Sequence, residues 1–292
     1  MKELRKPDWL KSKKLGAKKT REIIKKLRKY NLHTVCENAG CPNQGECFEN
    51  GTATFMILGE TCTRNCTFCA IDKNKNKLQQ PDSNEPKAIA ELSKELGLKH
   101  IVITTVTRDD LPDGGASQFI EVIKQIRKIC RKDVSIELLI SDFNGDLEMV
   151  EKVVKTAPDV LNHNVETVPR LYSTVRPMAD FQRSLNVLHK ARQSSTRILA
   201  KSGFMVGLGE TKEEVLNLME SLRKVGVDIV TIGQYIAPSQ NHHPVIEYIH
   251  PNVFDFFKEE GLKMGFEIVE SAPLVRSSFH AEKARKILFK RS

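Results

Sequence analysis

Segments with strand character and segments with helix character alternate along most of this chain. Apolar runs typical of buried strands occur six times, at 54–59, 101–106, 135–140, 159–165, 197–206 and 228–235. Segments with apolar residues at helical spacing lie between them, near 85–97, 116–130, 146–156, 180–193 and 211–225. This alternation predicts an α/β fold with a parallel sheet and helices outside it. Six βα units are fewer than the eight of a closed barrel, so we expect a partial (β/α)6 barrel of the TIM type.

The regions on either side of the six units are interpreted as extensions. Residues 1–50 are the N-terminal extension, residues 51–250 the partial barrel, and residues 251–292 the C-terminal extension, with a pattern of helix, short strand and helix. No segment rich in Pro, Gly or Ser divides the chain.

The composition is ordinary for a soluble globular protein, with 40% apolar and 28% charged residues. No apolar run approaches the roughly 18 residues that a membrane span requires. The N-terminal sequence MKELRKPDWLKSKK is charged but lacks the apolar stretch of a secretory signal. We therefore expect a cytoplasmic protein with no membrane partner.

The positive charge of the chain is concentrated at its N-terminus. Residues 1–30 contain thirteen Lys or Arg and three Asp or Glu, a balance of +10 against +9 for the whole chain. Ile23, Ile24, Leu27 and Tyr30 stand there at helical spacing, with basic residues around them. Three interpretations stay open: a solvated amphipathic helix packed on the main domain, a docking site for an acidic protein, or a nucleic-acid contact.

Six of the seven cysteines fall within 34 residues, as two triplets. Cys36, Cys41 and Cys47 follow the spacing C-x4-C-x5-C, and Cys62, Cys66 and Cys69 follow C-x3-C-x2-C. A disulfide framework is typical of small secreted chains and does not fit here. Zinc is the stronger alternative, although its sites usually close with two pairs of ligands. Triplets of soft thiolates favour iron–sulfur cubanes in which one iron stays available for another ligand.

The second triplet resembles the cluster motif of the radical S-adenosylmethionine (SAM) superfamily, which follows the first strand of a partial barrel. Two glycine-containing segments also resemble elements of that superfamily. Residues 203–210 (GFMVGLGE) resemble the element beside the adenine of SAM, and residues 113–116 (DGGA) resemble the element whose backbone receives the amino group of SAM. Each alone could be a plain βα turn or a helix start. The resemblance implies that Gly114, Gly115, Gly203, Gly207 and Glu210 contact SAM.

A narrower resemblance, to the lipoyl synthase family, covers about residues 30 to 281. It is carried by several motifs in the family's order: CENAGCPNQGEC at 36–47, TRDDLPDGGA at 107–116, NHNVETVP at 162–169, KSGFMVGLGET at 201–211, IGQYIAPS at 232–239 and PLVRSSFHA at 273–281. The sequence departs from the family at Phe279, Ala200 and Ser141, where Tyr, Thr and Pro are common. Phe279 keeps the ring and loses a hydroxyl.

This resemblance implies the insertion of two sulfur atoms, at C6 and C8 of an octanoyl chain carried on a lysine of a lipoyl carrier domain. It implies two [4Fe–4S] clusters, one on Cys62, Cys66 and Cys69 that cleaves SAM, and an auxiliary one on Cys36, Cys41 and Cys47 that donates sulfur. The fourth ligand of the auxiliary cluster would be Ser278, with Arg276 close by, although paired serines before a helix can also be caps. Cys130, at the end of a predicted helix, is predicted to be a buried structural thiol.

The partners implied are octanoylated carrier domains, namely 2-oxoacid dehydrogenase E2 subunits and the glycine cleavage H protein. A reducing electron donor and iron–sulfur assembly or carrier proteins are also implied, and nucleic acid is not. Two other interpretations remain: a radical SAM enzyme that thiolates tRNA, with the basic segment on phosphates, and a non-catalytic zinc protein that binds nucleic acid.

Overall fold

A computed structural model describes residues 5–11, 17–38, 41, 43–279, 283–284 and 287. Within these residues, eight strands form one sheet: β1 (His33–Thr34), β2 (Thr52–Ile57), β3 (His100–Thr105), β4 (Ser135–Leu139), β5 (Val160–Asn162), β6 (Leu199–Val206), β7 (Ile229–Gln234) and β8 (Ile268–Ser271). The strands are neighbours in sequence order. All pairs from β2 to β8 are parallel, and only β1 runs antiparallel, against β2.

Ten α-helices accompany the sheet within the described residues: α1 (Ala17–Lys29), α2 (Val35–Asn38), α3 (Gln44–Glu49), α4 (Glu85–Glu95), α5 (Ala116–Ile129), α6 (Leu147–Val154), α7 (Tyr172–Val175), α8 (Phe181–Ser194), α9 (Lys212–Lys224) and α10 (Pro251–Lys263). Local capping fixes several of their starts. Asp146 accepts hydrogen bonds from the backbone at the start of α6, and Thr211 and Glu214 form a reciprocal capping box at α9.

The expectation of a partial barrel is confirmed. Strands β2, β3 and β7 are almost entirely buried, as expected for parallel strands covered on both faces. Each strand and helix predicted for the six βα units is present, with ends shifted by a few residues. The sheet gains two strands beyond the six units. The strand expected after residue 251 is β8, whereas β1 was not predicted, because two residues are too few to show a period.

The N-terminal segment forms the expected amphipathic helix. Ile23 and Leu27 of α1 are buried in the main hydrophobic core, and Ile24 is half-buried. Lys26 Nζ lies 3.1 Å from a carboxylate oxygen of Glu95 on α4, and the Tyr30 hydroxyl donates to the same carboxylate at 2.9 Å. The helix therefore packs on the barrel, and part of its charge is used within the chain. Its function in docking stays a prediction.

Two further predictions for single elements have different outcomes. Cys130, predicted to be a buried structural thiol, follows the last residue of α5, and its thiol donates to the Ala90 carbonyl at 3.4 Å. The prediction is confirmed in part, because the side chain packs against the main core but is only partly buried. The last helix, predicted in the C-terminal extension, falls mostly outside the described residues.

Within the described residues, the structure contains no helix with the length and hydrophobicity needed to cross a membrane.

Candidate active site

A cavity of about 840 Å³ opens beside the carboxyl ends of the strands. Active sites of barrel folds form at this edge, because the βα loops meet there. Cys62, Cys66 and Cys69 line one part of the cavity, and Arg276, Ser277 and Ser278 line another. The structure thus brings together two sequence-predicted groups that are about two hundred residues apart in the chain.

The loop with the second cysteine triplet is held by backbone and ionic contacts. Cys62 N donates to the Asp72 carbonyl at 2.8 Å, and Thr63 N donates to the Thr107 carbonyl at 2.9 Å. The buried Arg64 guanidinium, between two of the cysteines, pairs with Asp109 at 2.8 Å and with Asp142 at 2.5 Å. Burial would lower the pKa of Arg64, but these carboxylates outweigh it and the pKa is raised. The loop is therefore fixed by a permanent cation at its centre.

The thiols of this triplet share one buried environment. The pKa of the Cys69 thiol is raised to about 11, mainly by burial and also by the nearby Cys66 and Cys62. Burial also raises the pKa of Cys66, against the opposing charge of Arg176. Among the described residues, no three His, Cys, Asp or Glu side chains already converge around one point as a ligand set. Neutral thiols in a shared pocket lose their protons when a metal binds, so this donor set fits an iron–sulfur cluster.

The first triplet lies on the short helices before β2. Cys36 is on α2 and Cys47 on α3, with Cys41 between them, whose backbone N donates to the Cys36 carbonyl at 3.0 Å. Burial raises the pKa of the Cys36 thiol to about 12, with a further contribution from Cys41. Cys47 N donates to the Asn43 carbonyl at 3.0 Å. Soft donors in an apolar setting also fit an iron–sulfur cluster here.

The C-terminal loop comes directly against this first triplet. The Asn43 side-chain amide donates to the Leu274 carbonyl at 2.7 Å. Burial raises the pKa of the Cys41 thiol, and the charge of Arg276 acts in the opposite direction. Gly233 lets the loop cross β7, because a Cβ there would overlap the Val275 carbonyl oxygen. The loop that contains Ser278 is thereby held against the segment of the first triplet, with Arg276 close enough to influence Cys41.

The two adjacent serines have different surroundings. Ser277 Oγ accepts a hydrogen bond from Asn162 at 2.9 Å and donates one to Asn164 at 3.0 Å. Within the described part of the chain, the Ser278 hydroxyl has no hydrogen-bond partner, and it faces the cavity. Of the two, Ser278 therefore has its oxygen available to a ligand.

The glycines predicted to contact SAM have local roles in this structure. Gly115 begins α5 with a φ angle of +90°, and a Cβ there would overlap the Leu58 side chain. A Cβ on Gly114 would touch Phe143, 3.0 Å away. Neither glycine is among the described residues that line the cavity. Both shape the turn that precedes α5.

The element from 203 to 210 also supports its own turn. Glu210 accepts hydrogen bonds from the backbone N of Gly207 at 2.5 Å and of Leu208 at 2.9 Å. Gly203 lies in β6, where a Cβ would overlap Thr231 and stand 3.0 Å from Asn164 Oδ1. Met205, between them, is the residue of this element that lines the cavity. The contacts of these residues with SAM stay a prediction.

Several cavity residues were not assigned a role from the sequence. Glu166 and Arg176 line the cavity near Cys66 and influence its pKa. Burial raises the pKa of Glu166, and Arg176 acts against that shift. His163 Nδ1 donates to the Ile140 carbonyl at 3.0 Å, while its Nε2 has no partner in the described part of the chain. The sequence signal that could have identified His163 and Glu166 was the polar run at 162–169, which follows a predicted strand. In the sequence analysis this run served only as one of the motifs that resemble the family.

The fold and the cysteine-lined cavity define an enzyme class, and comparison with known proteins agrees with them. Residues 56–222 match the Radical SAM superfamily, so the chain belongs to it, with a [4Fe–4S] cluster and SAM as its cofactors. The crystal structure of methylornithine synthase superposes with a TM-score of 0.55 at 14% identity over 93% of this chain and 91% of that one, which shows the shared fold.

Two curated relatives narrow the class. The lipoyl synthase of Caldicellulosiruptor saccharolyticus is 56% identical over 99% of this chain and all of its own length. That of Caldicellulosiruptor bescii is 53% identical over 99% of this chain and 98% of its own. The chain belongs to the lipoyl synthase family.

Proposed function

We propose that this protein inserts sulfur at C6 and C8 of an octanoyl chain attached to a lysine of a lipoyl carrier domain. The observation that carries the proposal is that Cys62, Cys66 and Cys69 line the same cavity as Ser278. The segment of Cys36, Cys41 and Cys47 contacts the loop of Ser278 through the hydrogen bond from Asn43 to the Leu274 carbonyl. A reaction with a radical source and a sulfur source needs both within reach of one substrate.

The donor sets fit two clusters with different tasks. Cys62, Cys66 and Cys69 would hold the cluster that binds SAM, while Cys36, Cys41 and Cys47, with the Ser278 oxygen, would hold the auxiliary cluster. When bound, these groups supply a 5′-deoxyadenosyl radical, which can break an unactivated C–H bond, and sulfide for the new C–S bonds. The hard serine oxygen is the easiest of the proposed ligands to displace from a soft cluster.

The chain's own residues position and enclose these groups. Arg64, held by Asp109 and Asp142, fixes the loop of the second triplet. Met56, Val106, Leu139 and Met205 give the cavity apolar walls that suit an acyl chain. Holding reactants in line and excluding water are the usual contributions of such a cavity to a radical reaction.

The test is anaerobic turnover with an octanoyl-lysine peptide, SAM and a reductant, with the products weighed by mass spectrometry. The expected product carries two thiol groups, at C6 and C8, in place of two hydrogens. Formation of 5′-deoxyadenosine without any thiolated peptide, in protein that holds both clusters, would contradict the proposed substrate.

A carrier domain is the substrate that the family implies, and α1 is its proposed docking element. Lys25 and Lys29 of this helix are exposed, whereas Lys26 pairs with Glu22 and Glu95. An acidic carrier would be attracted by the exposed pair.

A further inference from the structure

A chain of buried polar side chains crosses the interior of the barrel. Lys201 of β6 lies 2.9 and 3.1 Å from the two carboxylate oxygens of Glu137 on β4. Asn162 of β5 donates to Glu137 Oε1 at 3.0 Å. His100 of β3 lies 3.5 Å from the same carboxylate. All four side chains are buried, at 2% exposure or less.

This series of hydrogen bonds leads from the buried ion pair to the C-terminal loop. The amide nitrogen of Asn162 donates one hydrogen to Glu137 and the other to Ser277 Oγ, at 2.9 Å. Ser277 then donates its own proton to Asn164 Oδ1, at 3.0 Å. Ser277 is the residue before Ser278, so the chain ends one residue from the proposed cluster ligand.

The charge on Glu137 fixes the direction of every hydrogen bond in this series of buried side chains. A carboxylate paired with a lysine can only accept, so Asn162 must turn its NH2 group, and not its oxygen, toward Glu137. The second hydrogen of that NH2 group then points at Ser277, which must accept it and donate onward. The Ser277 hydroxyl is thereby fixed in both directions.

A purely stabilising role does not account for such an arrangement. Buried ion pairs are weak stabilisers compared with packed apolar residues, because both charges must leave water. An interior polar chain with one defined direction instead specifies a single geometry. Here the residue whose geometry is specified is Ser277, on the C-terminal loop, 115 residues after Asn162 in sequence.

We infer that Ser277 is a positioning residue, which the buried Glu137, Lys201 and Asn162 side chains orient, and which holds the Ser278 oxygen toward the auxiliary cluster. This inference rests on the proposed function, in which Ser278 is a ligand. It assigns the two adjacent serines different tasks: Ser278 touches the cluster, and Ser277 fixes where Ser278 stands.

The test compares four variants of the holoenzyme: Ser277→Ala, Asn162→Ala, Ser278→Ala and, as a matched control, Ser271→Ala. Ser271 has a buried hydroxyl that donates to the Phe254 carbonyl at 2.7 Å and lies outside the polar chain. The measurements are the rate of iron release to a chelator, 5′-deoxyadenosine formation, and the temperature of unfolding.

Ser277→Ala and Asn162→Ala should release auxiliary-cluster iron about 10- to 100-fold faster, the range known for residues that support metal ligands. Both should cleave SAM at the wild-type rate, and Ser277→Ala should unfold at about the same temperature as Ser271→Ala. Ser277→Thr, which keeps the hydroxyl, should restore slow release. Asn162→Ala leaves the loop sequence intact, so it tests the inference even where Ser277→Ala folds poorly.

Slow iron release from Ser277→Ala and Asn162→Ala, with fast release from Ser278→Ala, would overturn the positioning role and leave the ligand in place. Slow release from Ser278→Ala would overturn the ligand assignment itself, and the inference with it. Equally fast release from Ser271→Ala would show general loosening and also refute the positioning role.

Discussion

The side-chain amide of Asn43 donates a 2.7 Å hydrogen bond to the backbone carbonyl of Leu274, 231 residues later in the chain. Asn43 lies between Cys41 and Cys47, and Leu274 lies four residues before Ser278. This contact joins the two segments that would together ligate the auxiliary cluster.

Replacing the Asn43 donor should weaken the auxiliary site and spare SAM cleavage. Asn43→Asp keeps the shape of the side chain but turns a donor into an acceptor that repels the Leu274 carbonyl, at a cost of about 1–3 kcal/mol in the free energy of unfolding. We expect partial loss of iron and less thiolated product, with 5′-deoxyadenosine formation retained. Asn84→Asp, at an exposed position, is the control and should keep its full iron content. A normal auxiliary cluster in Asn43→Asp would contradict the proposal that the contact between Asn43 and Leu274 supports this site.

The two triplets should be separable by mutation. Changing Cys62, Cys66 and Cys69 to Ala should abolish SAM cleavage and leave about four irons per chain instead of about eight. Changing Cys36, Cys41 and Cys47 to Ala should leave some 5′-deoxyadenosine formation but no sulfur insertion. Iron and sulfide analysis with product mass spectrometry checks both. Thiolated product from the second variant would rule out this cluster as the sulfur donor.

The serine ligand can be tested by changing its donor atom. Ser278→Ala should still cleave SAM but make little thiolated product, because the fourth iron loses its ligand. Ser278→Cys should give a stable cluster that releases sulfur poorly, since a thiolate is harder to displace than an alkoxide. Mössbauer spectra of the two variants measure the change at that iron. Full lipoyl formation by Ser278→Ala would show that Ser278 is not a ligand of the auxiliary cluster.

The buried ion pair predicts a loss of stability with a defined pH dependence. Burial by itself would raise the pKa of Glu137, but Lys201 and His100 lower it to about 2 from the ordinary value of 4.5. Glu137→Gln leaves Lys201 buried without a carboxylate, which typically costs about 3–5 kcal/mol. A carboxylate with a lowered folded-state pKa stabilises the protein above its unfolded-state pKa, and that contribution is lost as the pH falls from 4.5 toward 2.

Chemical denaturation of wild type and Glu137→Gln should therefore show a constant difference at neutral pH and a shrinking one below about pH 4.5. The double variant Glu137→Leu/Lys201→Met removes both charges and should lose much less stability than Glu137→Gln. A double variant as unstable as the single one would show that packing, and not the unpaired charge, causes the loss.

The exposed charges of α1 should matter for a protein substrate only. Lys25→Glu/Lys29→Glu should raise KM for an octanoylated carrier domain several-fold and leave KM for a short octanoyl peptide unchanged, because charge steering acts on the whole partner. The effect should diminish at high salt. Lys258→Glu, on the exposed face of α10, is the control for a charge reversal away from α1. Equal changes for both substrates would indicate a merely structural helix.

The amino-acid sequence by itself determined the order of the βα units, the two cysteine triplets and the family. These features are local: strand and helix periods are set by near neighbours, and ligand spacing is counted along the chain. Local signals failed where an element was too short or where solvent exposure decided the outcome. The two-residue strand β1 and the partly buried Cys130 are the examples.

Only the tertiary structure decided which distant side chains meet. Lys201 and Glu137 each stand inside an apolar strand run, and nothing in either run indicates a partner 64 residues away. Glu210, which was expected to contact SAM, accepts a hydrogen bond from the backbone of its own turn. Ser277 cannot be told from a helix cap in the sequence, yet its hydroxyl accepts a hydrogen bond from Asn162 inside the barrel. The physical reason is that barrel closure, which depends on the twist and register of all strands, sets these distances, and no local pattern encodes them.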